Sequence, residues 1–244
     1  MEIQNIYDNL AFFSEYKKLR DNARGFNNEI EQPAVRSLVE NMKDKKVLDI
    51  GCGFGNFCRY AADQGALSVL GIDPSKNMIR EAASTTLSSN IQYLCLPVET
   101  FSTNLASFDI IVSSLAFHYV KEFDSLVQNI EKWLKKSGQL VFSVEHPICT
   151  AWPEGSLKKD NAGKSFHPVY NYRDEGQFEQ TWFVDGVRKY HRKLSTYINT
   201  LLEHGFAVER VLEPMPSDEQ IAQYPKLKIH RVRPPLLIIS AKKR

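Results

Sequence analysis

The chain has 244 residues, 43% hydrophobic and 25% charged, with a formal net charge of +2. This length and balance suit one large domain with a full core and exclude disordered and fibrous classes, while the near-neutral charge gives no broad footprint for nucleic acid. The four cysteines, Cys52, Cys58, Cys95 and Cys149, form no C-x-x-C pair, which argues against a disulfide framework or a zinc site and makes them small apolar fillers.

Residues 1–45 have the spacing of one or two amphipathic helices, with Phe12, Phe13, Tyr16 and Leu19 followed by Val35, Leu38, Val39 and Met42. The start Met1-Glu2-Ile3-Gln4 carries no basic-then-apolar signal, and the longest apolar runs, such as Phe108 to Val112, are strand-sized. A cytoplasmic protein that does not enter the membrane is expected. From residue 46 to about 145, strand-like and helical runs alternate, as in a parallel sheet with helices on both faces. The strands are Lys46 to Ile50, Leu67 to Ile72, Ile91 to Cys95, Phe108 to Ser113 and Gln139 to Val144; the helices are Asn56 to Gln64, Lys76 to Leu87 and Asp124 to Lys136. Lys135-Lys136 before Ser137-Gly138 places positive charge and a glycine where that last helix is expected to stop.

Residues 146–192 interrupt the alternation. Within them, Thr181-Trp182-Phe183-Val184 and Val187-Arg188-Lys189-Tyr190 are extended runs joined by Asp185-Gly186, a pair that favours a two-residue hairpin turn. An inserted antiparallel hairpin over the sheet edge or the site is expected. Leu194 to His204 then reads as a helix ended by Gly205, followed by strands Phe206 to Leu212 and Pro235 to Lys242. The fold class is α/β, a doubly wound, mostly parallel seven-stranded sheet with helices on both faces, plus N-terminal helices and the hairpin, all in one domain.

The segment Val47-Leu48-Asp49-Ile50-Gly51-Cys52-Gly53-Phe54-Gly55 is an apolar strand carrying an acid that runs into three alternating glycines. Such glycines let the main chain approach a ligand closely, and the helix expected after Gly55 directs free N–H groups and a positive dipole end at it. The nicotinamide fingerprint G-x-G-x-x-G fails at Asn56, so NAD is not expected. The segment resembles instead the first motif of the class I S-adenosylmethionine-dependent methyltransferases, of the methyltransferase type 11-like bacterial kind. In that family the loop faces the methionine half of the cofactor.

Other positions agree with this resemblance. Asp73, ending Leu70-Gly71-Ile72-Asp73-Pro74-Ser75, can accept both hydroxyls of an adenosyl ribose. Its alternative role is an N-cap, which Ser75 could fill alone. Met78 can pack against adenine. After the third strand only Glu99 of Leu96-Pro97-Val98-Glu99 matches the family's acids, which leaves adenine to main-chain groups and Val98. The run Phe108 to Val120 resembles the fourth motif, in which Ser113, Ser114 and Leu115 would floor the sulfonium and His118 and Tyr119 would open towards the substrate. An Asp or Asn-Pro-Pro-aromatic motif is absent, which argues against methylation of DNA bases.

The resemblance implies S-adenosyl-L-methionine as cofactor, held by Tyr16, Asp49, Gly51, Cys52, Gly53, Gly55, Asp73, Pro74, Met78, Val98, Glu99, Ser114 and Leu115. Methyl transfer to a small acceptor by in-line displacement follows, with no metal required. His118 and His146 are candidate bases, and Tyr119, Tyr190 and His191 candidate substrate contacts. Residues 1–45, with Tyr7 and Arg20, are expected to form a lid, and 146–192 part of the acceptor pocket. Two alternatives stay open: an RNA or protein methyltransferase docking through Lys226, Lys228, Arg231 and Arg233, or a non-catalytic cofactor-binding protein. A monomer or homodimer is expected.

Overall fold

The computed structural model describes residues 4–21, 25–152 and 154–244. The start at 1–3, part of the segment without a targeting signal, lies outside the described residues. In chain order the elements are α1 (Leu10–Asp21), α2 (Gln32–Leu38), β1 (Lys46–Ile50), α3 (Asn56–Asp63), β2 (Ser68–Asp73), α4 (Lys76–Ser84), β3 (Ile91–Cys95), β4 (Phe108–Ser114), α5 (Phe123–Trp133) and β5 (Leu134–Glu145). They continue as α6 (Pro147–Thr150), β6 (Lys158–Lys159), β7 (Ser165–Phe166), β8 (Gly176–Trp182), β9 (Val184–His191), α7 (Leu194–Glu203), β10 (Phe206–Leu212), α8 (Asp218–Gln223) and β11 (Leu236–Lys243). No described helix is long and apolar enough to cross a membrane.

The main sheet has seven strands in the order β10-β11-β5-β4-β1-β2-β3. β1 pairs in parallel with both β2 and β4, while β11 runs antiparallel between β5 and β10. Strand order reverses at β1, and in open sheets of this kind the crevice beyond the carboxyl ends of the strands at that point takes the ligand. The central strands β1, β4, β5 and β11 are buried on both faces, so alternate residues feed two cores. Leu48 and Ile50 pack with Phe123, Val127 and Tyr197 on one side, while Val47 packs with Val35, Phe57 and Ala61 on the other. The glycine loop therefore leaves a strand that both cores hold rigid.

Two local expectations are corrected. The fifth helix stops at Trp133, and Leu134 already pairs with Phe108 in the sheet. Lys135 is not a helix-end cation: its Nζ reaches both carboxylate oxygens of Asp109 at 2.8 and 2.9 Å, while Lys243 Nζ bonds the carbonyls of Glu131 and Leu134. The hairpin is present, but its chain reversal is at Phe183, with φ 61°, and not at Asp185-Gly186. Trp182 and Phe183 pack edge-on against Phe12 of α1, at ring separations of 5.3 and 5.5 Å. Asp185 instead lies inside β9 and accepts a hydrogen bond from Thr181 Oγ1 at 2.7 Å, opposite an irregular step in β8.

Candidate active site

One large cavity opens at the carboxyl ends of β1, β2 and β4 and is roofed by α1 and the tip of the β8–β9 hairpin. Its empty volume is about 1420 Å³ with the mouth and adjoining open solvent included. Of the expected cofactor residues, Tyr16, Asp49, Gly51, Cys52, Gly53, Asp73, Pro74, Met78, Val98, Glu99, Ser114 and Leu115 all line it. Gly55 does not. Its left-handed backbone, φ 73°, starts α3, and a Cβ there would strike the Tyr93 hydroxyl, so its role is to shape the loop.

The loop is bolted to the neighbouring strand. The amides of Gly51 and Cys52 donate to the Ile72 carbonyl at 2.8 and 3.0 Å, and that of Gly53 to Asp73 Oδ2 at 3.0 Å. Gly51 and Gly53 have φ of 72° and 52°; a Cβ on Gly51 would overlap Ala116, whereas one on Gly53 would meet no protein atom within 4 Å. Gly53 lines the cavity, so the space over it is open to a ligand. Asp73 Oδ1 also takes the Ser75 amide at 2.9 Å, and Ser75 Oγ accepts from the Met78 amide at 3.2 Å, so the N-cap is Ser75 and not Asp73. Burial raises the Asp73 carboxyl to about 6.

Three buried polar atoms on residues lining this cavity have no hydrogen-bond partner among the described residues: Asp49 Oδ1, Gln32 Oε1 and Arg20 Nη1. An unpaired buried polar atom costs on the order of 1–3 kcal/mol, so such a set marks a waiting ligand. Two acceptors and a guanidinium donor complement the α-ammonium and α-carboxylate of a methionyl group. The donor set thus fits S-adenosylmethionine, whose ribose Asp73 could receive and whose base Pro74, Met78 and Val98 could surround, all four lining the cavity. Burial raises Asp49 to about 7, and its Oδ2 accepts from Cys58 Sγ at 3.2 Å.

Glu31, which sequence reasoning missed, sets this arrangement. Fully buried, its Oε1 accepts from Ser114 Oγ at 2.7 Å and Ser143 Oγ at 2.6 Å, and its Oε2 from Gln32 Nε2 at 2.7 Å. Both donor contacts of the Gln32 amide, to Glu31 and to Ser114 Oγ at 3.1 Å, are made by Nε2, which leaves its Oε1 without a partner among the described residues. Ser114 leads into Leu115, held at φ 54° with its amide N–H donating to the carbonyl and the Oγ of Ser143, each at 3.0 Å. A strained non-glycine residue at this point bends the chain under the cavity floor. Only the burial of an acid next to Gln32-Pro33 could have hinted at Glu31, and burial is invisible in one sequence.

His118, Tyr119, Glu145, Tyr7, Gln4 and Trp182 also line the cavity. Burial drives His118 down to about 4, so its ring is neutral near pH 7, and its Nδ1 accepts the Glu145 amide at 3.4 Å. Glu145 Oε1 pairs with Lys189 Nζ at 2.5 Å, and Lys189, 2% exposed, also reaches Gln180 Oε1 at 3.1 Å. Lys189 holds the carboxyl of Glu145 below the usual range against the opposing effect of burial.

Three expected residues are not in this cavity. His146 caps α6, taking the Ile148 amide on Nδ1 at 3.1 Å, and its Nε2 meets Glu213 at 2.7 Å; Pro147 begins the turn that carries the chain off the sheet. His191 is occupied by Thr150 Oγ1 at 2.7 Å and the Tyr172 carbonyl at 3.0 Å. Tyr190 bonds Gln177 at 3.3 Å on a separate, shallow surface depression. The hairpin reaches the cavity through Trp182 instead, and Gln4 ties the N-terminal segment to it by accepting the Arg188 amide at 2.7 Å.

Comparison with known proteins agrees with this geometry. Residues 48–142 match the model of the methyltransferase domain family. The chain is 38% identical to an uncharacterized protein of Haemophilus influenzae, over 98% of this chain and 97% of that one. The crystal structure of an S-adenosylmethionine dependent methyltransferase from Mesorhizobium loti superposes with a TM-score of 0.84 at 36% identity, covering 91% of this chain and 99% of that one. A ubiquinone biosynthesis O-methyltransferase of Idiomarina loihiensis is 32% identical over 53% of this chain and 56% of its own.

Proposed function

The chain belongs to the class I S-adenosylmethionine-dependent methyltransferases, and from that premise we propose that it methylates a small molecule held beside the cofactor within the same cavity. The observation that carries this is the part of the cavity lined by His118, Tyr119, Glu145, Tyr7 and Trp182. A buried, aromatic-walled space with a few polar groups suits a compact acceptor. The ubiquinone biosynthesis O-methyltransferase, whose name describes a small-molecule acceptor, points the same way.

When bound, the cofactor supplies an electrophilic methyl group on a sulfonium. Asp73 would orient the ribose, and Asp49, Gln32 and Arg20 the amino-acid end, so that both ends of a long ligand are fixed by groups already in place. Leu115 and its neighbours would exclude water from below, with α1 and the hairpin tip doing so from above. Catalysis then rests on alignment of acceptor, methyl carbon and sulfur.

A macromolecular acceptor is less well supported. Of the four basic residues that could dock RNA, Arg231 is bound to Asp218 at 2.7 Å and to the Pro216 carbonyl at 3.2 Å, and Arg233 donates to Cys149. The deciding experiment supplies methyl-labelled S-adenosylmethionine with a cell extract divided into dialysable metabolites, RNA and protein. Label should enter the dialysable fraction. Label confined to RNA or protein overturns the small-acceptor reading.

A further inference from the structure

We infer that the acceptor end of the cavity is built for a neutral hydroxyl compound, whose O–H is received by Glu145 Oε2 and whose oxygen is held by the Nε2–H of His118. The inference rests on the methyltransferase reading above and adds to it the acceptor's chemical class and the residue that takes its proton.

One hydrogen bond fixes the tautomer of His118. Its Nδ1 accepts the Glu145 amide at 3.4 Å, so the proton of the neutral ring is on Nε2. No described residue partners Nε2, although the residue is 2% exposed and lines the cavity. His118 therefore offers a donor at this end, not the lone pair that a base requires. Glu145 is the complementary group. Its Oε1 is taken by Lys189, while its Oε2 has no partner among the described residues. The side chain is 29% accessible although it sits at the buried end of β5, and the residue lines the cavity.

A donor and an acceptor on adjacent residues discriminate among nucleophiles. A hydroxyl oxygen has two lone pairs, so it can accept from His118, donate to Glu145 and still attack carbon with the remaining pair. A neutral amine has one lone pair and must give up either the attack or the contact with His118. An ammonium cannot accept at all, and Glu145 cannot offer it a bare negative charge because Lys189 already neutralises the carboxylate. An anionic acceptor would meet no cation directly: Arg20 is the sole Lys or Arg among the described lining residues, and it faces the cofactor's carboxylate in this reading. Tyr7 and Tyr119, packed edge to face with rings 6.2 Å apart, and Trp182 give this part of the cavity aromatic walls.

The step balances. The acceptor oxygen forms the O–CH3 bond, the C–S bond breaks with its electron pair staying on sulfur, and the O–H proton passes to Glu145 Oε2. A carboxylate of low basicity is sufficient, because the oxygen's proton becomes strongly acidic as the methyl group arrives. Glu145 returns the proton to solvent when the product leaves.

The test uses the complex with S-adenosylhomocysteine and three probes of similar size, catechol, benzylammonium and benzoate, titrated by ligand-observed NMR. Catechol should bind most tightly, and Glu145→Gln and His118→Phe should each weaken it by fivefold or more while leaving S-adenosylhomocysteine affinity within twofold. Nitrogen-15 correlation spectra should show His118 as the Nε2–H tautomer in the unliganded protein. Preference for benzylammonium or benzoate, an Nδ1–H tautomer, or unchanged catechol affinity in both variants overturns the hydroxyl assignment alone. Failure to bind S-adenosylhomocysteine overturns the cofactor reading beneath it. Glu145→Asp keeps a carboxylate beside Lys189 and should retain catechol binding better than Glu145→Gln, so a Gln variant that merely misfolds is recognised.

Discussion

The Gly53 amide donates to Asp73 Oδ2 at 3.0 Å, so the glycine loop and the acid of the next strand form one unit before any ligand arrives. Removing the carboxylate should therefore damage cofactor binding twice, by loss of a ribose acceptor and by release of the loop. For Asp73→Ala the expected loss is on the order of 1.5–3 kcal/mol, the range for hydrogen bonds to a charged group. Calorimetry with S-adenosylhomocysteine should show affinity down by roughly tenfold or more. Normal affinity in Asp73→Ala together with a lower melting temperature would reduce the residue to a structural role.

Asp49 and Asp73 give cofactor affinity a pH dependence. Burial raises their folded values to about 7 and about 6, above the ordinary 3.8. The unliganded native state then holds more protons than the unfolded one between about 4 and 7, so their contribution to stability is present below that window and is lost as pH rises through it. A bound ammonium and ribose need the ionised forms, so affinity should rise with pH across the same window, by up to about tenfold per unit for each proton released. Asp49→Asn should remove the upper step, and a flat affinity profile from pH 5 to 8 in the parent protein would contradict the assignment of both acids.

Arg20 can be tested apart from the rest of the cofactor. Its unpaired Nη1 should meet the methionyl carboxylate, so Arg20→Met should weaken S-adenosylhomocysteine by about 1.5–3 kcal/mol. Methylthioadenosine, which lacks the amino-acid end, should bind the parent and the variant alike. Equal weakening of both ligands would mean that Arg20 only supports the position of α1.

What could be read from the sequence was local. Asp49 to Gly55 is continuous in the chain, and its strand, turn and helix start follow from apolar residues and glycines within ten positions, so the loop was legible. Ser75 as the N-cap of the following helix was legible for the same reason. The hairpin was recognised, but its reversal was misplaced at Asp185-Gly186 because rings distant in sequence, Phe12 against Trp182 and Phe183, hold the turn at Phe183. Glu31 bonds to Ser114 and Ser143 across separations of 83 and 112 residues, and Lys189 meets Glu145 across 44. No spacing rule reaches so far. His146 and His191 looked free because a sequence does not show that Glu213, Thr150 and the Tyr172 carbonyl already occupy them.

The Lys189–Glu145 pair couples the hairpin's place in the fold to the acceptor end of the cavity. Lys189 is 2% exposed, its ammonium also lies 5.1 Å from the Trp182 ring centre, and β9 carries it across to the end of β5. Breaking a buried pair from one side strands the other charge, at a cost of about 3–5 kcal/mol. Lys189→Met should therefore be strongly destabilising in a denaturant titration. Glu145→Gln in the same chain should recover most of that loss, since a neutral amide needs no counter-charge, and the double-mutant cycle should give a favourable coupling well above the roughly 0.5 kcal/mol of independent sites. The repaired double variant should still bind S-adenosylhomocysteine, whose expected contacts lie at β1, β2 and α1, yet fail to bind catechol. Recovery of catechol affinity along with stability would show that the pair serves the fold alone and that Glu145 does not meet the acceptor.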